Sequence, residues 1–340
     1  MFLRNCWYLA GWADEVRPEA MIGRQIAGQH VLLARARDGM IHAMADTCPH
    51  RLVPLSMGQC ADDSIRCAYH GLRFALNGVC VENPHGPVSR ALSVGTFACE
   101  ERHAAIWLWL GDETADPALI PDYGFIDRTP VEARVKGYLH SNADYRLMVD
   151  NIMDLTHADY LHATLLGGGI NTRARASVQQ DGDAITISWT ANDDKLAPLH
   201  AQALGVADGK GDFYNNILWQ APGNMVQRIM LARPGEMATA PMDSMTCHVM
   251  TPETATTTHY FFCHTSDAVS ADPAIAPVVL QGLNQAFAFE DKPMLEAQSR
   301  RIGGRDFWEQ GPAMLPSDKG AVMVRRALDR MIEQERTVKP

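Results

Sequence analysis

Apolar and polar positions alternate over short stretches in the first third of the chain, and helical spacing emerges only later. Residues 31–35 and 40–44 are apolar runs on either side of Asp38-Gly39, which predicts a β-hairpin. Residues 72–76 and 79–81 repeat the pattern around Asn77-Gly78, and 105–110 reads as a buried strand. No convincing helical pattern interrupts residues 1–112, so an all-β domain is expected there. Asp, Pro and Gly then crowd residues 111–130, with Pro117, Pro121 and Pro130, which places a domain boundary at 115/116. The expected domains are therefore 1–115 and 116–340.

Residues 147–166 carry apolar side chains at helical spacing and run into Gly167-Gly168-Gly169, a stop signal. Strands are expected at 184–190, 216–220 and 225–232, and a hairpin from 245–251 and 257–264 around Pro252-Glu253. A long helical pattern covers 274–302 with Pro293 as a kink, and a last helix covers 319–335. The fold class is α+β, with an all-β N-terminal part followed by an antiparallel sheet and flanking helices.

Composition narrows the function classes. The 340 residues hold 30 Lys and Arg against 40 Asp and Glu, a net charge of −10, so the overall field repels nucleic acid. No segment reaches the roughly 18 uninterrupted apolar residues of a membrane span. Arg4 and Asn5 break the apolar N-terminus, and Asp14 and Glu15 follow where a signal peptide would stay apolar. A cytoplasmic protein with reduced thiols is the expectation. Eight cysteines are too sparse for a disulfide scaffold, and Cys6, Cys60, Cys80, Cys99, Cys247 and Cys263 read as structural.

The remaining two cysteines pair with histidines, as Cys48-Pro49-His50 and, after an interval of sixteen residues, Cys67-Ala68-Tyr69-His70. Two thiolates and two imidazoles can hold one tetrahedral zinc or a two-iron cluster. A Cys₂His₂ finger runs Cys, Cys, His, His with its histidines on a helix, whereas here each cysteine has its own histidine among strands and turns. That order suits a [2Fe–2S] centre with thiolates on one iron and imidazoles on the other, with zinc as the rival. Residues 150–162 form a second ligand-rich segment. Asp154 and His157 are three apart and can share a helix face. His157 and His162 are five apart, about 140° around an ideal helix. They can bind one metal only if the helix ends or is distorted there, for instance by a π-type bulge. Read alone, the segment serves equally well as a solvated helix.

Cys48-Pro49-His50-Arg51, Pro54-Leu55-Ser56-x-Gly58 and Cys67-x-Tyr69-His70-Gly71-Leu72-x-Phe74 together resemble the cluster-binding segment of Rieske proteins, in particular the oxygenase component of Rieske non-haem iron oxygenases. The opening Arg4-Asn5-x-Trp7-Tyr8-x-Ala10 is similar to the start of the vanillate and dicamba demethylase group, and Asn151-x-x-Asp154-x-x-His157-x₄-His162 to the family's iron motif. The resemblance implies a Rieske domain, a helix-grip-like catalytic domain and a [2Fe–2S] cluster on Cys48, His50, Cys67 and His70. It implies mononuclear Fe(II) on His157, His162 and Asp291, with Glu290 as the alternative acid. Asp154 would bridge His157 to a cluster imidazole, His70, of a neighbouring subunit in a homotrimer, with Asn151 beside it in the catalytic motif.

The implied activity is monooxygenation of a small aromatic such as a methoxybenzoate, by hydroxylation or O-demethylation with O₂. A separate NAD(P)H-dependent reductase would supply electrons, because no glycine-rich dinucleotide fingerprint occurs in this sequence. The alternatives are methyl-group or ring hydroxylation, or a Rieske protein that only transfers electrons. His248 and Gln227, polar positions within strand patterns, are candidates for hydrogen-bonding a substrate. Arg228 and Arg233 are candidate countercharges for a carboxylate. Met148, Met153, Met225, Met230, Met245 and Met250 fit an adaptable pocket or ordinary core. Phe287, Phe289 and Met294 suggest that the helix face near Asp291 is buried.

Overall fold

The computed structural model describes residues 1–338. Two compact units result: Met1–Ile120 with Thr251–Thr254, and Pro121–Met250 with Ala255–Pro340.

The first unit contains strands β1 (Trp7–Trp12), β2 (Met21–Ile26), β3 (Gln29–Arg35), β4 (Ile41–Ala45), β5 (Gln59–Ala61), β6 (Ser64–Arg66), β7 (Arg73–Ala75), β8 (Cys80–Glu82), β9 (Thr96–Phe97), β10 (Cys99–Arg102) and β11 (Ala105–Trp109). They form three sheets, ordered β1-β11-β10, β2-β3-β4-β9 and β5-β6-β7-β8. Both expected hairpins are present: β3 pairs with β4 from Val31↔Ala45 to Arg35↔Ile41, and β7 pairs with β8 through a bulge. Strand β11 is buried along its length because it lies between β1 and β10. Pattern alone does not reveal β1: its sequence WYLAGW is buried throughout and has no polar alternation to mark it.

The second unit holds β12 (Val135–Ser141), β13 (Arg175–Asp181), β14 (Ala184–Lys195), β15 (Lys210–Gln220), β16 (Asn224–Ala232), β17 (Met242–Pro252) and β18 (Thr258–Ser266). They make one seven-stranded sheet in the order β12-β18-β17-β16-β15-β14-β13, antiparallel in every pair for which a register is resolved. Its helices are α1 (Gly124–Arg128), α2 (Tyr145–Met153), α3 (Ala158–Leu161), α4 (Ile170–Arg173), α5 (Pro198–Leu204), α6 (Asp267–Ala271), α7 (Ala276–Asn284), α8 (Lys292–Ile302) and α9 (Lys319–Val338). No helix among the described residues is long and apolar enough to cross a membrane.

Two helical expectations need correction. The pattern over 147–166 is not one helix. Helix α2 stops at Met153, Asp154 takes an extended conformation (φ −134°, ψ 96°), and a 3₁₀ turn over Leu155–His157 leads into α3. The Asp154 carboxylate causes the break by accepting from the Thr156 amide and hydroxyl at 3.0 and 2.8 Å, as an N-cap does. Pro293 does not simply kink a helix over 274–302. The chain passes from α7 through a π-helical stretch, Gln285–Asp291, into α8, with Pro293 in the first turn of α8. Proline has no N–H for the carbonyl of Phe289, four residues back, and the ladder slips by one residue just before it. The Lys292 amide bonds the Phe287 carbonyl, five residues back.

One face of the sheet underlies these helices. Residues opposite one another share a face. The pairs Ile217↔Gln227, Gln227↔Thr246, Met225↔His248, Leu139↔Tyr260 and Gly137↔Phe262 therefore set the inner row. The Phe262 ring lies over Gly137, where a Cβ would come within 2.0 Å of its Cζ. That ring packs edge-on against Phe287 in the π-helical stretch, at 5.1 Å between centroids. Helix α9 is tied to α2 by the buried Arg325, whose Nε and Nη2 meet Asp150 Oδ2 at 2.8 and 2.5 Å while its guanidinium lies 4.1 Å over Phe307.

Gly137→Val would force Phe262 off its seat. The expected outcome is a loss of about 2 kcal/mol or more by overpacking, read as a lowered urea midpoint with unchanged slope. An unaltered midpoint would show that the ring can move freely.

Candidate functional site

The four cysteine and histidine candidates of the first unit lie on two loops of the same construction. The Cys48 amide donates to the Val53 carbonyl at 2.9 Å, and the Leu52 amide donates back to the Cys48 carbonyl at 2.9 Å. The Cys67 amide likewise donates to the Leu72 carbonyl at 2.8 Å, and Gly71 to the Cys67 carbonyl at 3.1 Å. Each loop turns through a left-handed residue, Leu52 (φ +59°) in one and Gly71 (φ +75°) in the other. The first loop is pinned by Asp46, which accepts from the Ser56 amide and hydroxyl at 2.7 and 2.6 Å. Gly58 permits close approach, since a Cβ there would lie 2.1 Å from the Arg66 carbonyl oxygen.

The loops bury the two thiols, at 1% and 2% exposure, and set the His50 and His70 rings 4.5 Å apart further out. His70 Nδ1 is buried without a hydrogen-bond partner. Two buried thiols, two adjacent imidazoles and an orphaned ring nitrogen fit a cluster bound through two sulfurs and two nitrogens.

In the second unit, His157, His162 and Asp291 each offer one ligand atom, all within 4.8 Å of one another. Asp291 Oδ1 lies 3.5 Å from His157 Nε2 and 3.3 Å from His162 Nε2. His157 closes the 3₁₀ turn and His162 leaves the helix at the end of the four-residue α3 (φ −102°, ψ 37°), and their ring centroids lie 5.3 Å apart although they are five apart in sequence. Of the two expected ways out, the helix ends at the second histidine, and the π-helical stretch lies instead in the helix that carries Asp291. Asp159 secures the chain beyond His162 by accepting from the Gly169 amide at 3.1 Å and from the Thr172 amide and hydroxyl, both at 2.7 Å.

Each imidazole is oriented through Nδ1, but by different acceptors. His157 bonds the main-chain carbonyl of Asp154 at 2.7 Å, not its carboxylate. His162 bonds Glu290 Oε2 at 2.5 Å, and Glu290 Oε1 accepts from Gln285 Nε2 at 3.0 Å. Asn151 Nδ2 donates to Asp291 Oδ1 at 3.2 Å. Burial pushes the His162 imidazole down, and Asp291 and Glu290 outweigh it and raise it above its ordinary value. Both Nε2 atoms thus converge on a buried carboxylate in a site whose excess negative charge favours a cation. That donor set, two imidazoles and one carboxylate, fits ferrous iron.

Of the aromatic and apolar residues expected to bury this helix, only Phe287 turns inward. Phe289 and Met294 are 69% and 57% exposed. Phe287 packs against Tyr260 and His248, each at 5.6 Å, as well as Phe262. Here the two substrate candidates meet. His248 Nε2 lies 3.1 Å from Gln227 Oε1, and Gln227 Nε2 donates to Asn215 Oδ1 at 3.2 Å. Because Gln227 offers its oxygen, His248 donates from Nε2, and its Nδ1 accepts from the Tyr260 hydroxyl at 2.7 Å. Tyr260 and Asn215 come from other strands, and nothing in the sequence pattern singles them out. Arg228 is held by Asp243 at 2.6 Å on the surface, and Arg233 is exposed, so neither faces this row.

These two centres have known counterparts. Residues 6–96 match the Rieske [2Fe-2S] domain, and residues 141–334 the vanillate O-demethylase oxygenase C-terminal domain. The chain is 37% identical to the oxygenase component of dicamba O-demethylase from Stenotrophomonas maltophilia, over 98% of this chain and 99% of that protein. It is also 37% identical to the oxygenase component of chloroacetanilide N-alkylformylase from Rhizorhabdus wittichii, over 98% and 97%. A crystal structure of dicamba monooxygenase bound to 3,6-dichlorosalicylic acid superposes with a TM-score of 0.91 at 35% identity, covering 98% of this chain and 99% of that one. The chain belongs to the family of Rieske oxygenase components of the vanillate O-demethylase type. It is an enzyme, the oxygenase component of a multicomponent system.

Burial lowers His248 to about 3, far below the ordinary histidine value. A folded-state value below the unfolded one means stability is intact above about pH 6.5 and is lost as the pH falls, because the unfolded chain takes up the proton. One such histidine steepens the loss by about 1.4 kcal/mol per pH unit between roughly pH 6 and 4. His248→Gln should therefore flatten the pH dependence of the urea midpoint in that window, whatever it does at pH 7. Parallel curves for the two proteins would show that His248 is not buried neutral.

Proposed function

We propose that the chain is the oxygenase component of an aromatic O-demethylase, acting on a small methoxylated aromatic such as a methoxybenzoate. The convergence of His157 and His162 Nε2 on Asp291 beside an apolar and hydrogen-bonding sheet face carries this reading. Cys48, His50, Cys67 and His70 hold the [2Fe–2S] cluster, and His157, His162 and Asp291 hold mononuclear Fe(II). The cluster domain is assigned to residues 1–115 and the catalytic domain to 116–340. When bound, the two groups supply single electrons and reductive activation of O₂, which puts one oxygen atom into the substrate and releases the other as water. With a methoxy group the balance is ArOCH₃ + O₂ + 2e⁻ + 2H⁺ → ArOCH₂OH + H₂O, and the hemiacetal collapses to the phenol and formaldehyde.

The residues have distinct tasks. The Asp154 carbonyl and Glu290 fix the two imidazoles, and Asn151 holds Asp291 Oδ1. Phe287, Tyr260 and Phe262 form an aromatic wall that keeps water from the sheet face. His248, neutral and with its ring nitrogens committed to Gln227 and Tyr260, fixes the Gln227 amide, whose second Nε2 proton orients the substrate. Asp154 Oδ1 is spent on Thr156, and among the described residues Oδ2 has no partner, which leaves it for His70 of a neighbouring copy in a homotrimer. Electrons come from a separate NAD(P)H-dependent reductase, and the setting is cytoplasmic. Hydroxylation of an aromatic methyl group is the second reading, favoured by 33% identity over 98% of this chain to a subunit named for toluene-4-sulfonate monooxygenase.

Formaldehyde release from a panel of methoxylated aromatic acids, with a surrogate reductase and NADH, tests the substrate class. Turnover of methylated but not methoxylated compounds would overturn it in favour of the second reading. Asp154→Asn should leave the cluster absorbance intact and cut NADH-coupled O₂ uptake by on the order of 100-fold or more. Uptake near the wild-type rate in that variant would rule out the bridge.

A further inference from the structure

The reading of His157, His162 and Asp291 as the iron centre leaves the neighbouring carboxylate, Glu290, outside the ligand set, and the inference below rests on that reading. Glu290 and Asp291 are consecutive, yet both reach one imidazole from opposite ends: Glu290 Oε2 at Nδ1 and Asp291 Oδ1 near Nε2. Glu290 is also held from behind by Gln285, five residues earlier and at the start of the π-helical stretch. In an α-helix, residues five apart point about 140° away from each other. The i→i+5 bonding of a π-helix brings them onto one side, so the Gln285–Glu290 contact is a product of that irregular stretch. The other candidate imidazole has no such support, since His157 Nδ1 meets a neutral main-chain carbonyl.

We propose that Glu290, clamped by Gln285 across the π-helical stretch, is a positioning residue that presents His162 Nε2 to the metal and makes His162 the firmer of the two imidazole ligands. A carboxylate on the far nitrogen fixes the ring orientation and tautomer, and it strengthens the imidazole as an electron-pair donor. A carbonyl does the first but contributes less to the second. The two histidines are thereby inequivalent, with His162 as the anchor and His157, 23% exposed in its side chain, as the ligand that yields more easily.

The test is metal affinity rather than turnover. Co(II) is titrated by equilibrium dialysis into the full-length, cluster-bearing chain freed of its mononuclear iron, and cobalt X-ray absorption reports the ligands. Removing an outer carboxylate from a metal-bound histidine typically costs about 10–100-fold in affinity. Glu290→Gln, which keeps the hydrogen bond but loses the charge, should weaken Co(II) about 10-fold, and Glu290→Ala should approach 100-fold. Gln285→Ala, at an exposed position, should weaken it by a smaller factor. All three should keep the cluster absorbance and the same number of cobalt ligands. Wild-type affinity in both Glu290 variants would overturn the proposal, as would loss of one oxygen ligand in Glu290→Ala, which would make Glu290 a direct ligand. Asp291→Ala separates the two levels of the argument. If it too binds Co(II) at wild-type strength, the three-residue centre itself fails; if it does not, only the role of Glu290 is in question.

Discussion

Two imidazoles five residues apart cannot meet on a regular α-helix, and everything at the second centre is arranged around that constraint. The chain meets it by placing His157 at the end of a 3₁₀ turn and ending α3 at Leu161, so that His162 already leaves the helix. One residue does two jobs at the start of that turn, because Asp154 caps it with its side-chain carboxylate and takes the His157 ring with its main-chain carbonyl. The cost of leaving the helix is small, since the last turn of α2 would need an outside partner for its free carbonyls in any case. Asp159 then ties the chain beyond His162 back to α3 through the Gly169 and Thr172 amides.

Facing this break is a helix that is also irregular, for an independent reason. Pro293 withdraws one amide from the ladder, and the register slips over the preceding turn. A wider turn packs its backbone less tightly, and the Phe287 ring fills the space between it and the sheet. The sheet makes room in return: Gly137 has no side chain, so the Phe262 ring can lie flat on β12. A glycine on one strand, a phenylalanine on the next and a proline on a helix thus act together to set one carboxylate opposite two histidines.

What could be read from the sequence follows how local each feature is. The Cys-x-His and Cys-x-x-His pairs are formed by single turns, so their spacing was enough to put each cysteine and its histidine on one loop, while the approach of the two loops is a tertiary contact. The hairpins at 31–45 and 73–82 were legible because Asp38-Gly39 and Asn77-Gly78 mark the turns themselves. Strands β1 and β12 escaped notice because one has no polar alternation and the other is a mixed run, VKGYLHS, that only its partner β18 makes a strand. His248 and Gln227 stood out as polar residues in apolar strands. Their mutual bond, and the Tyr260 and Asn215 that complete it, depend on cross-strand register, which no single-sequence pattern encodes. Arg228 misled for the converse reason. It lies one position from Gln227, and a period of two sends it to the opposite face, where Asp243 meets it.

The short segment Thr251–Thr254 has a bearing on the order of events as the chain is made. It belongs to the first unit although more than half of the second precedes it. Thr251 Oγ1 donates to the Leu9 carbonyl at 2.8 Å, and the Ala27 and Gly28 amides donate to the carbonyls of Pro252 and Glu253 at 2.7 and 2.9 Å. An emerging chain that has reached residue 120 still lacks those acceptors, and they leave the ribosome only after β13 to β16 have done so. The N-terminal unit is begun first and finished late, so a nascent chain cannot complete its electron-entry half before most of its catalytic half exists.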